Sequence, residues 1–280
     1  MLEPSSLQPY NQSIGVFDSG VGGLSVLKAI RAALPHEDLI YVADSLFAPY
    51  GDKSPEYITQ RTLKLGSWLE SVGVRALTLA CNTATSVAVK ALREQTQLPV
   101  VAIEPAIKPA VALTQTGVIG VLATQQTVQS ENVIGLCELH GQGKRIILQA
   151  CPGWVELVEK GELHGEKTQM LVQKFIDPLV DEGVDTLVLG CTHYPFLQFV
   201  IERIYGKALN LLDPAQAVAK ELVRRLDQLN IEPKNKELPK FAEPSIAGRT
   251  RLMTTGDATQ ATQVMSQLWG EPIEVEHLGV

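Results

Sequence analysis

The sequence predicts an α/β protein built from two pseudo-symmetric units, each a parallel sheet covered by helices, with the active site in the cleft between them. Short apolar runs rich in Val, Ile and Leu alternate with longer segments of helical period. Near-continuous apolar strands are typical of parallel sheets that are covered on both faces. The two halves of the chain also share a sequence pattern, which indicates an internal duplication.

The predicted elements follow one another from residue 14 to the tail. The eight strands of the two units are predicted at 14–17, 39–42, 76–79, 100–103, 118–122, 145–148, 186–189 and 209–212. Amphipathic helices are clearest at 23–34, 55–71 and 168–182. The tail is predicted to begin with a polar, proline-punctuated connection at 230–248, followed by strands at 251–254 and 272–276 around a helix at 258–269.

The internal repeat is carried by three pairs of segments that occur in the same order at nearly constant spacing. They are 14–19 with 119–124, 73–81 with 183–191, and 104–106 with 213–215. Because the tail has no counterpart in the second unit, we expect it to return to the first one. The predicted domains are therefore 13–104 together with 216–280, and 105–215.

Composition and charge narrow the class of protein. The chain has 280 residues, of which 45% are hydrophobic and 20% charged, as in soluble globular proteins. A net charge of −7 argues against a nucleic-acid partner. The sequence shows neither a signal-peptide pattern nor an apolar run of about 18 residues, so we expect a cytoplasmic protein without a membrane partner. No two of the four cysteines form a C-x-x-C pair, so no metal site is indicated.

Candidate functional residues occur in the loops that follow the predicted strands, because ligands of parallel α/β sheets bind at the carboxyl ends of the strands. These loops are rich in hydroxyl groups and poor in Arg and Lys. Each loop leads into a predicted helix, whose free N–H groups and positive dipole end bind a carboxylate without a cationic side chain. The loops are therefore suited to a small acidic molecule.

Cys81 and Cys191 occupy equivalent positions in the two units, so we expect them to face each other across the cleft. A helix N-terminus lowers a thiol pKa from its usual value of about 8.5, so each can act as an acid or a base near neutral pH. Two opposed acid–base groups remove a proton from one face of a carbon and return it to the other. A lone cysteine is more often a small buried hydrophobe. Cys137 fits that description, and Cys151 fits either the core or the cleft wall.

His193 and Asp18 each have a structural and a functional interpretation. His193 fits an N-cap or a packed core group, but beside Cys191 it can relay the proton of the thiol. Asp18 can cap the helix that begins near Gly22, or it can hold an ammonium group or tune Cys81. The glycines at 20, 22 and 23 lack the full nucleotide-binding spacing, so nucleotide binding has little support.

Four motifs together resemble those of the glutamate racemases of bacterial cell-wall synthesis, within the aspartate/glutamate racemase superfamily. They are GVFDSGVGGL at 15–24, APYG at 48–51, ACNTA at 80–84 and GCTHYP at 190–195. The resemblance extends over about 14–226. The HYP ending looks like the glutamate enzymes, because aspartate racemases usually lack that histidine.

This resemblance implies cofactor-independent racemisation of glutamate by a two-base mechanism, which supplies D-glutamate for peptidoglycan and so for cell shape. Cys81 would deprotonate D-glutamate and Cys191 L-glutamate. Asp18 would assist Cys81, and His193 would assist Cys191. Glu159 would be a third assisting acid. The implied substrate contacts are Asp18, Ser19, Pro49, Tyr50, Gly51, Asn82, Thr83, Thr124, Thr127, Thr192 and His193. We also expect a homodimer.

Three other functions fit parts of the sequence. The nearest is racemisation of another acidic amino acid, which faster turnover of aspartate than of glutamate would support. The second is hydrolysis or acyl transfer with a Cys191–His193 nucleophile, which leaves Cys81 without a matching task. The third is a non-enzymatic module that binds a small molecule between its units and causes no solvent exchange at Cα.

Overall fold

The computed structural model describes residues 12–229 and 247–280, so most of the predicted connection at 230–248 lies outside the described residues. Ten strands occur in the described part of the chain. They are β1 (Ile14–Asp18), β2 (Leu39–Ala43), β3 (Ala76–Leu79), β4 (Val100–Ala102), β5 (Val118–Ala123), β6 (Arg145–Ala150), β7 (Thr186–Leu189), β8 (Asn210–Leu212), β9 (Thr250–Thr254) and β10 (Val275–His277). Every predicted strand is found, with ends shifted by three residues at most.

Eleven α-helices occur in the same described ranges. They are α1 (Leu24–Ala33), α2 (Pro55–Ser71), α3 (Asn82–Gln95), α4 (Ile107–Leu113), α5 (Gln125–Val128), α6 (Glu131–His140), α7 (Trp154–Glu159), α8 (Glu166–Asp181), α9 (Gln198–Tyr205), α10 (Ala215–Gln228) and α11 (Ala258–Trp269). The four predicted helices correspond to α1, α2, α8 and α11. No helix within the described ranges is both long and apolar enough to span a membrane.

The strands form two parallel sheets that share the same internal order. The first sheet has the order β10-β9-β2-β1-β3-β4, and the second has the order β6-β5-β7-β8. The order β2-β1-β3-β4 therefore recurs in the second sheet. The register recurs as well, because Ile14 pairs with Ala76 in the first sheet and Ile119 with Thr186 in the second. The predicted α/β class with two pseudo-symmetric parallel sheets is confirmed.

The C-terminal tail adds two strands to the first sheet. β9 pairs with β2, and β10 pairs with β9 at the edge of the sheet. The last strand begins later than predicted, at Val275 instead of residue 272. Proline lacks the backbone N–H that a strand ladder needs, so Pro272 lies before the paired residues.

Burial follows from the order of the strands. The central strands β1, β2, β3 and β7 are completely buried, whereas the edge strands β4, β6 and β8 are partly exposed. A central strand has a neighbouring strand on each side and helices on both faces, so nearly all of its side chains are apolar. These buried strands fix the position of the loops at their carboxyl ends.

The start of the second sheet is held by Asp185, the residue before β7. Its carboxylate accepts hydrogen bonds from Thr114 Oγ1 at 2.6 Å and from the backbone N–H groups of Gln115 at 2.7 Å and Thr116 at 2.9 Å. These three residues connect α4 to β5. Partial burial raises the pKa of Asp185, but the hydrogen bonds outweigh it and hold the pKa at about 2.

We expect Asp185→Asn to lower the urea midpoint of unfolding at neutral pH, because an amide does not replace both acceptor oxygens. A carboxylate with a lowered pKa stabilises the fold above its unfolded pKa of about 3.9 and loses this effect as the pH falls. The difference from wild type should therefore shrink between about pH 4 and pH 2. The control, Asp181→Asn at the exposed end of α8, should leave the midpoint unchanged. Equal midpoints for Asp185→Asn and wild type at pH 7 would contradict this account.

Candidate active site

The carboxyl ends of β1, β3, β5 and β7 meet at an enclosed cavity between the two sheets. Its volume is about 10 Å³, which is space for about one water molecule. The wall is formed by Ser19, Pro49, Tyr50, Gly51, Cys81, Asn82 and Thr83 of the first unit and by Thr124, Val155, Cys191, Thr192 and His193 of the second. The two cysteines therefore line one cavity from opposite units.

Cys81 lies between the end of β3 and the first residue of α3. Its sulfur accepts a hydrogen bond from the Ala84 N–H at 3.4 Å, and its thiol donates to Ser19 Oγ at 3.4 Å. The expectation that the helix N-terminus lowers the pKa of this thiol is wrong. Burial, together with the negative charge of Asp18, raises the pKa of Cys81 well above its ordinary value. Cys81 is therefore a thiol near neutral pH.

Cys191 lies in a different environment from Cys81. It follows β7, but the next α-helix begins only at Gln198, so Cys191 does not cap an α-helix. Instead its sulfur lies 3.7 Å from Nδ1 of His193. The other ring nitrogen of His193, Nε2, lies 2.7 Å from Oε1 of Glu159. Cys191, His193 and Glu159 thus form a chain that leads from the cavity to a carboxylate with 19% of its side-chain surface exposed.

The charge of His193 follows from these contacts. Burial by itself lowers the pKa of an imidazole, but the hydrogen bonds to Cys191 and Glu159 raise the pKa of His193 well above 6.5. The side chain of His193 caps no helix. The proton-relay interpretation of His193 therefore fits the geometry better than the N-cap interpretation. An imidazolium at this position attracts negative charge on the sulfur of Cys191.

Asp18 is completely buried and is bound by both units. Its Oδ2 accepts from the Gly23 N–H at 2.6 Å, just before α1, and from Thr192 Oγ1 at 3.2 Å. Its Oδ1 accepts from the Ser19 N–H at 2.7 Å. Burial raises the pKa of Asp18, although the charge of His193 opposes this shift. Asp18 thus binds the start of the helix, as one interpretation of the sequence predicted, and joins the two units behind the cavity wall.

The glycines after β1 allow the second unit to approach closely. A Cβ atom at Gly20 would overlap the carboxylate of Glu159, and one at Gly22 would overlap the ring of His193. Between them, the Val21 N–H donates to Glu159 Oε1 at 2.8 Å. The Glu159–His193 pair therefore packs on the glycine-rich run. This contact accounts for the glycines at positions 20 and 22, so nucleotide binding is not needed to explain them.

Hydrogen-bonding groups for a ligand come from α3 and from the loop after β5. The hydroxyl oxygens of Thr83, Thr124 and Thr127 lie within 3.2 Å of one another. The side-chain amide of Asn82 is buried, and neither its oxygen nor its nitrogen has a partner among the described residues. A buried amide without a partner is costly, so Asn82 is suited to bind a polar ligand.

Pro49, Tyr50 and Gly51 reach the cavity on the loop between β2 and α2. Tyr50 lines the cavity, and its hydroxyl donates to Asp44 Oδ2 at 2.5 Å. A Cβ atom at Gly51 would come within 2.8 Å of Thr124 Cβ. The loop of the first unit therefore touches the second unit beside the hydroxyl cluster.

The structure brings the predicted site residues together, although three of them lie behind the wall. Asp18, Thr127 and Glu159 contact wall residues but do not line the cavity. Val155, which lines the cavity from α7, is not among the residues predicted from the sequence. Val155 precedes Glu159 by four residues and so lies on the same face of the helix, which is a signal that could have found it.

The remaining cysteines lie away from the cavity. Cys151 is buried in the hydrophobic core, and its thiol donates to the Gln149 carbonyl at 3.7 Å. Cys137 is half-buried on α6 and packs against apolar side chains. In the part of the chain that the structure describes, no three His, Cys, Asp or Glu side chains are grouped as metal ligands.

Known proteins are similar to this chain in sequence and in structure. Residues 14–222 match the family described as Asp/Glu/hydantoin racemase. A glutamate racemase from Methylococcus capsulatus is 51% identical over 214 residues, covering 76% of this chain and 79% of that protein. A glutamate racemase isoform from Bacillus anthracis is 32% identical with a TM-score of 0.84, covering 96% of this chain and 98% of that chain. The Escherichia coli glutamate racemase, solved in complex with L-glutamate and an activator, is 32% identical with a TM-score of 0.81, covering 96% and 99%.

We expect the ring of His193 to remain protonated well above pH 6.5, because Cys191 and Glu159 both raise its pKa. A pH titration of the ring nitrogens by NMR, with His193→Gln to assign the signals, measures this directly. Glu159→Gln should lower the His193 pKa, because it removes the negative charge beside Nε2. A ring that is neutral at pH 7 in the wild type would contradict the proposed charge state.

Proposed function

The chain belongs to the Asp/Glu/hydantoin racemase family, and we propose that it interconverts L- and D-glutamate with Cys81 and Cys191 as opposed bases. The observation that carries this proposal is that the two thiols line one enclosed cavity from opposite units. Relatives named glutamate racemase, one of them solved with L-glutamate, support glutamate as the substrate.

Neutral donors hold the substrate in this proposal. Among the residues that the structure describes, no Arg or Lys lines the cavity, so in this proposal the two carboxylates bind to hydroxyl, amide and backbone N–H groups. Suitable donors occur at the N-terminus of α3, where Asn82 and Thr83 line the cavity. The same donors stabilise the negative charge that develops beside Cα when its proton is removed. A cavity of about 10 Å³ is much smaller than glutamate, so the walls move apart to admit it.

Each direction of the reaction uses one thiolate and one thiol. For L-glutamate, the Cys191 thiolate takes the Cα proton, and the electrons of the C–H bond remain on the substrate as a carbanion. Cys81 then gives its thiol proton to the opposite face of Cα and keeps the electron pair of the S–H bond. D-glutamate reacts by the reverse of these steps, with the Cys81 thiolate as base. Every step conserves charge and protons within the site.

The two sides assist their thiols differently. His193, protonated and bound to Glu159, places a positive charge beside the sulfur of Cys191, whereas burial and Asp18 raise the pKa of the Cys81 thiol. Because the two enantiomers have equal free energies, kcat/KM must still be equal in both directions. The asymmetry affects kcat and KM individually.

The cellular role follows from the product. D-Glutamate made in this way would be a building block for peptidoglycan, and through it the enzyme would contribute to cell-wall formation and cell shape. We further propose that the enzyme needs no cofactor, because two thiols and the surrounding donors provide both proton transfers. We also propose that the enzyme is located in the cytoplasm and forms a homodimer.

One feature favours a second function, namely nucleophilic catalysis by Cys191. The chain Cys191–His193–Glu159 has the order of a nucleophile, a base and an orienting carboxylate. This alternative gives Cys81 no task, although Cys81 lines the same cavity. A covalent adduct on Cys191, trapped with an activated ester of glutamate and found by mass spectrometry, would support it.

The proposed racemisation is tested by incubating the purified protein with L-glutamate in D2O. The wild type should produce D-glutamate that carries deuterium at Cα, as chiral chromatography and mass spectrometry detect. Cys81→Ser and Cys191→Ser should each lose racemisation, because a serine hydroxyl is far less acidic than a thiol. Cys137→Ser is the matched control and should keep it, because Cys137 lies outside the cavity. Full racemisation by either cavity variant would rule out the two-thiol mechanism.

We expect Gly22→Ala to lower racemisation by at least about tenfold, because the added methyl group displaces the His193 ring from Cys191 and Glu159. The loss should be equal for kcat/KM in both directions. Gly135→Ala is the control, because a methyl group there meets no atom within 4 Å. Unchanged activity in Gly22→Ala would show that the position of His193 is unimportant.

A further inference from the structure

We propose that Asp44 is a positioning residue: its carboxylate, buried behind the active site, fixes the loop that brings Tyr50 and Gly51 to the substrate. This inference rests on the proposed racemisation of glutamate. The loop runs from β2 to α2 and contains only two short 3-10 turns, Ser45–Phe47 and Tyr50–Asp52. Loops of this kind are usually mobile, so a loop that forms part of a binding wall needs an anchor.

The carboxylate of Asp44 is completely buried and accepts four hydrogen bonds. Arg61, on α2, donates from Nε at 2.9 Å and from a terminal nitrogen at 2.7 Å. Tyr50 donates its hydroxyl at 2.5 Å, and Thr255 donates Oγ1 at 3.0 Å. The donors come from the loop itself, from the helix after it and from the C-terminal tail. A buried carboxylate tolerates the loss of any donor poorly, so it fixes the three elements relative to one another.

Two further contacts hold the loop to the same donors. The guanidinium carbon of Arg61 lies 3.8 Å from the centre of the Phe47 ring. The Leu46 N–H donates to Thr255 Oγ1 at 3.2 Å. Thr255 therefore binds both Asp44 and the loop backbone with one hydroxyl group. The tail, which adds β9 to the first sheet, thus supports the active site without lining it.

The anchored loop determines the shape of the cavity wall. It places Tyr50 at the wall, and it places Gly51 against Thr124. Thr124 in turn shares the hydroxyl cluster with Thr83 on α3. A loosened loop would separate these groups and weaken substrate binding, while the two thiols that follow β3 and β7 would stay in place. Loss of the anchor should therefore raise KM much more than it lowers kcat.

Thr255→Val tests this inference, because valine has nearly the shape of threonine without its hydroxyl, and Thr255 does not line the cavity. We expect KM for both enantiomers to rise about fivefold, the effect of losing about one hydrogen bond, with kcat within about twofold of wild type. Thr254→Val is the matched control. Thr254 is equally buried, and its hydroxyl accepts from the Gly256 N–H at 3.1 Å and does not contact Asp44.

The comparison of KM with kcat separates positioning from a general effect on folding. A change that only destabilises the fold lowers the fraction of active protein, which lowers the apparent kcat and leaves KM unchanged. A wild-type KM in Thr255→Val would therefore overturn the proposal. So would an equal rise in KM for Thr254→Val, because that residue does not bind Asp44.

Hydrogen exchange of the free protein, followed by mass spectrometry, tests the anchor independently of activity. Thr255→Val should exchange faster than wild type over residues 45–52, whereas Thr254→Val should not. If the wild type fails to racemise glutamate while this difference holds, the proposed function is wrong and the anchor stands. If Thr255→Val exchanges like wild type over 45–52, the anchor is wrong whatever the activity.

Discussion

The contact between Glu159 and the loop after β1 is the interaction on which the geometry of the site depends. Glu159 belongs to the second unit, yet it accepts a hydrogen bond from Val21 in the first and holds the ring of His193. Through that ring it also determines which charge lies beside Cys191. Only glycines leave room for this approach, so the sequence after β1 is constrained by a side chain 138 residues later. The contact joins the two sheets at the point where the proposed chemistry takes place.

Duplication of one α/β unit accounts for the symmetry of the site, and local changes account for its asymmetry. The same strand order and register bring a cysteine to the end of β3 and of β7. Cys81 then caps a long helix, and its sulfur is bound to the Ser19 hydroxyl and the Ala84 N–H, with the negative charge of Asp18 nearby. Cys191 instead is followed by His193, which brings a positive charge. A reaction that begins from either enantiomer needs one thiolate and one thiol, so two equivalent units with unequal neighbours suit it.

Much of this arrangement could be predicted from the sequence, because apolar strands and the residues that follow them are local signals. The ten strands, the position of Cys81 and Cys191 on one cavity and the position of His193 beside Cys191 are of this kind. The direction of the Cys81 pKa shift could not be predicted, because it depends on how completely the folded chain buries the thiol and on the nearby Asp18. The four hydrogen bonds to the carboxylate of Asp44 could not be predicted either. One donor, Thr255, lies 211 residues later in the sequence and comes close to Asp44 only because β9 pairs with β2.

In the proposed mechanism each cysteine serves one face of Cα, and enantiomer-selective exchange of the Cα proton distinguishes the two cysteines. Cys81→Ser and Cys191→Ser are each incubated in D2O with pure L- and pure D-glutamate, and loss of the Cα proton is followed by NMR. Cys81→Ser retains Cys191, so it should exchange the proton of L-glutamate and leave D-glutamate unlabelled. Cys191→Ser should show the opposite preference. Exchange of the same enantiomer by both variants would contradict the assignment of one thiol to each face.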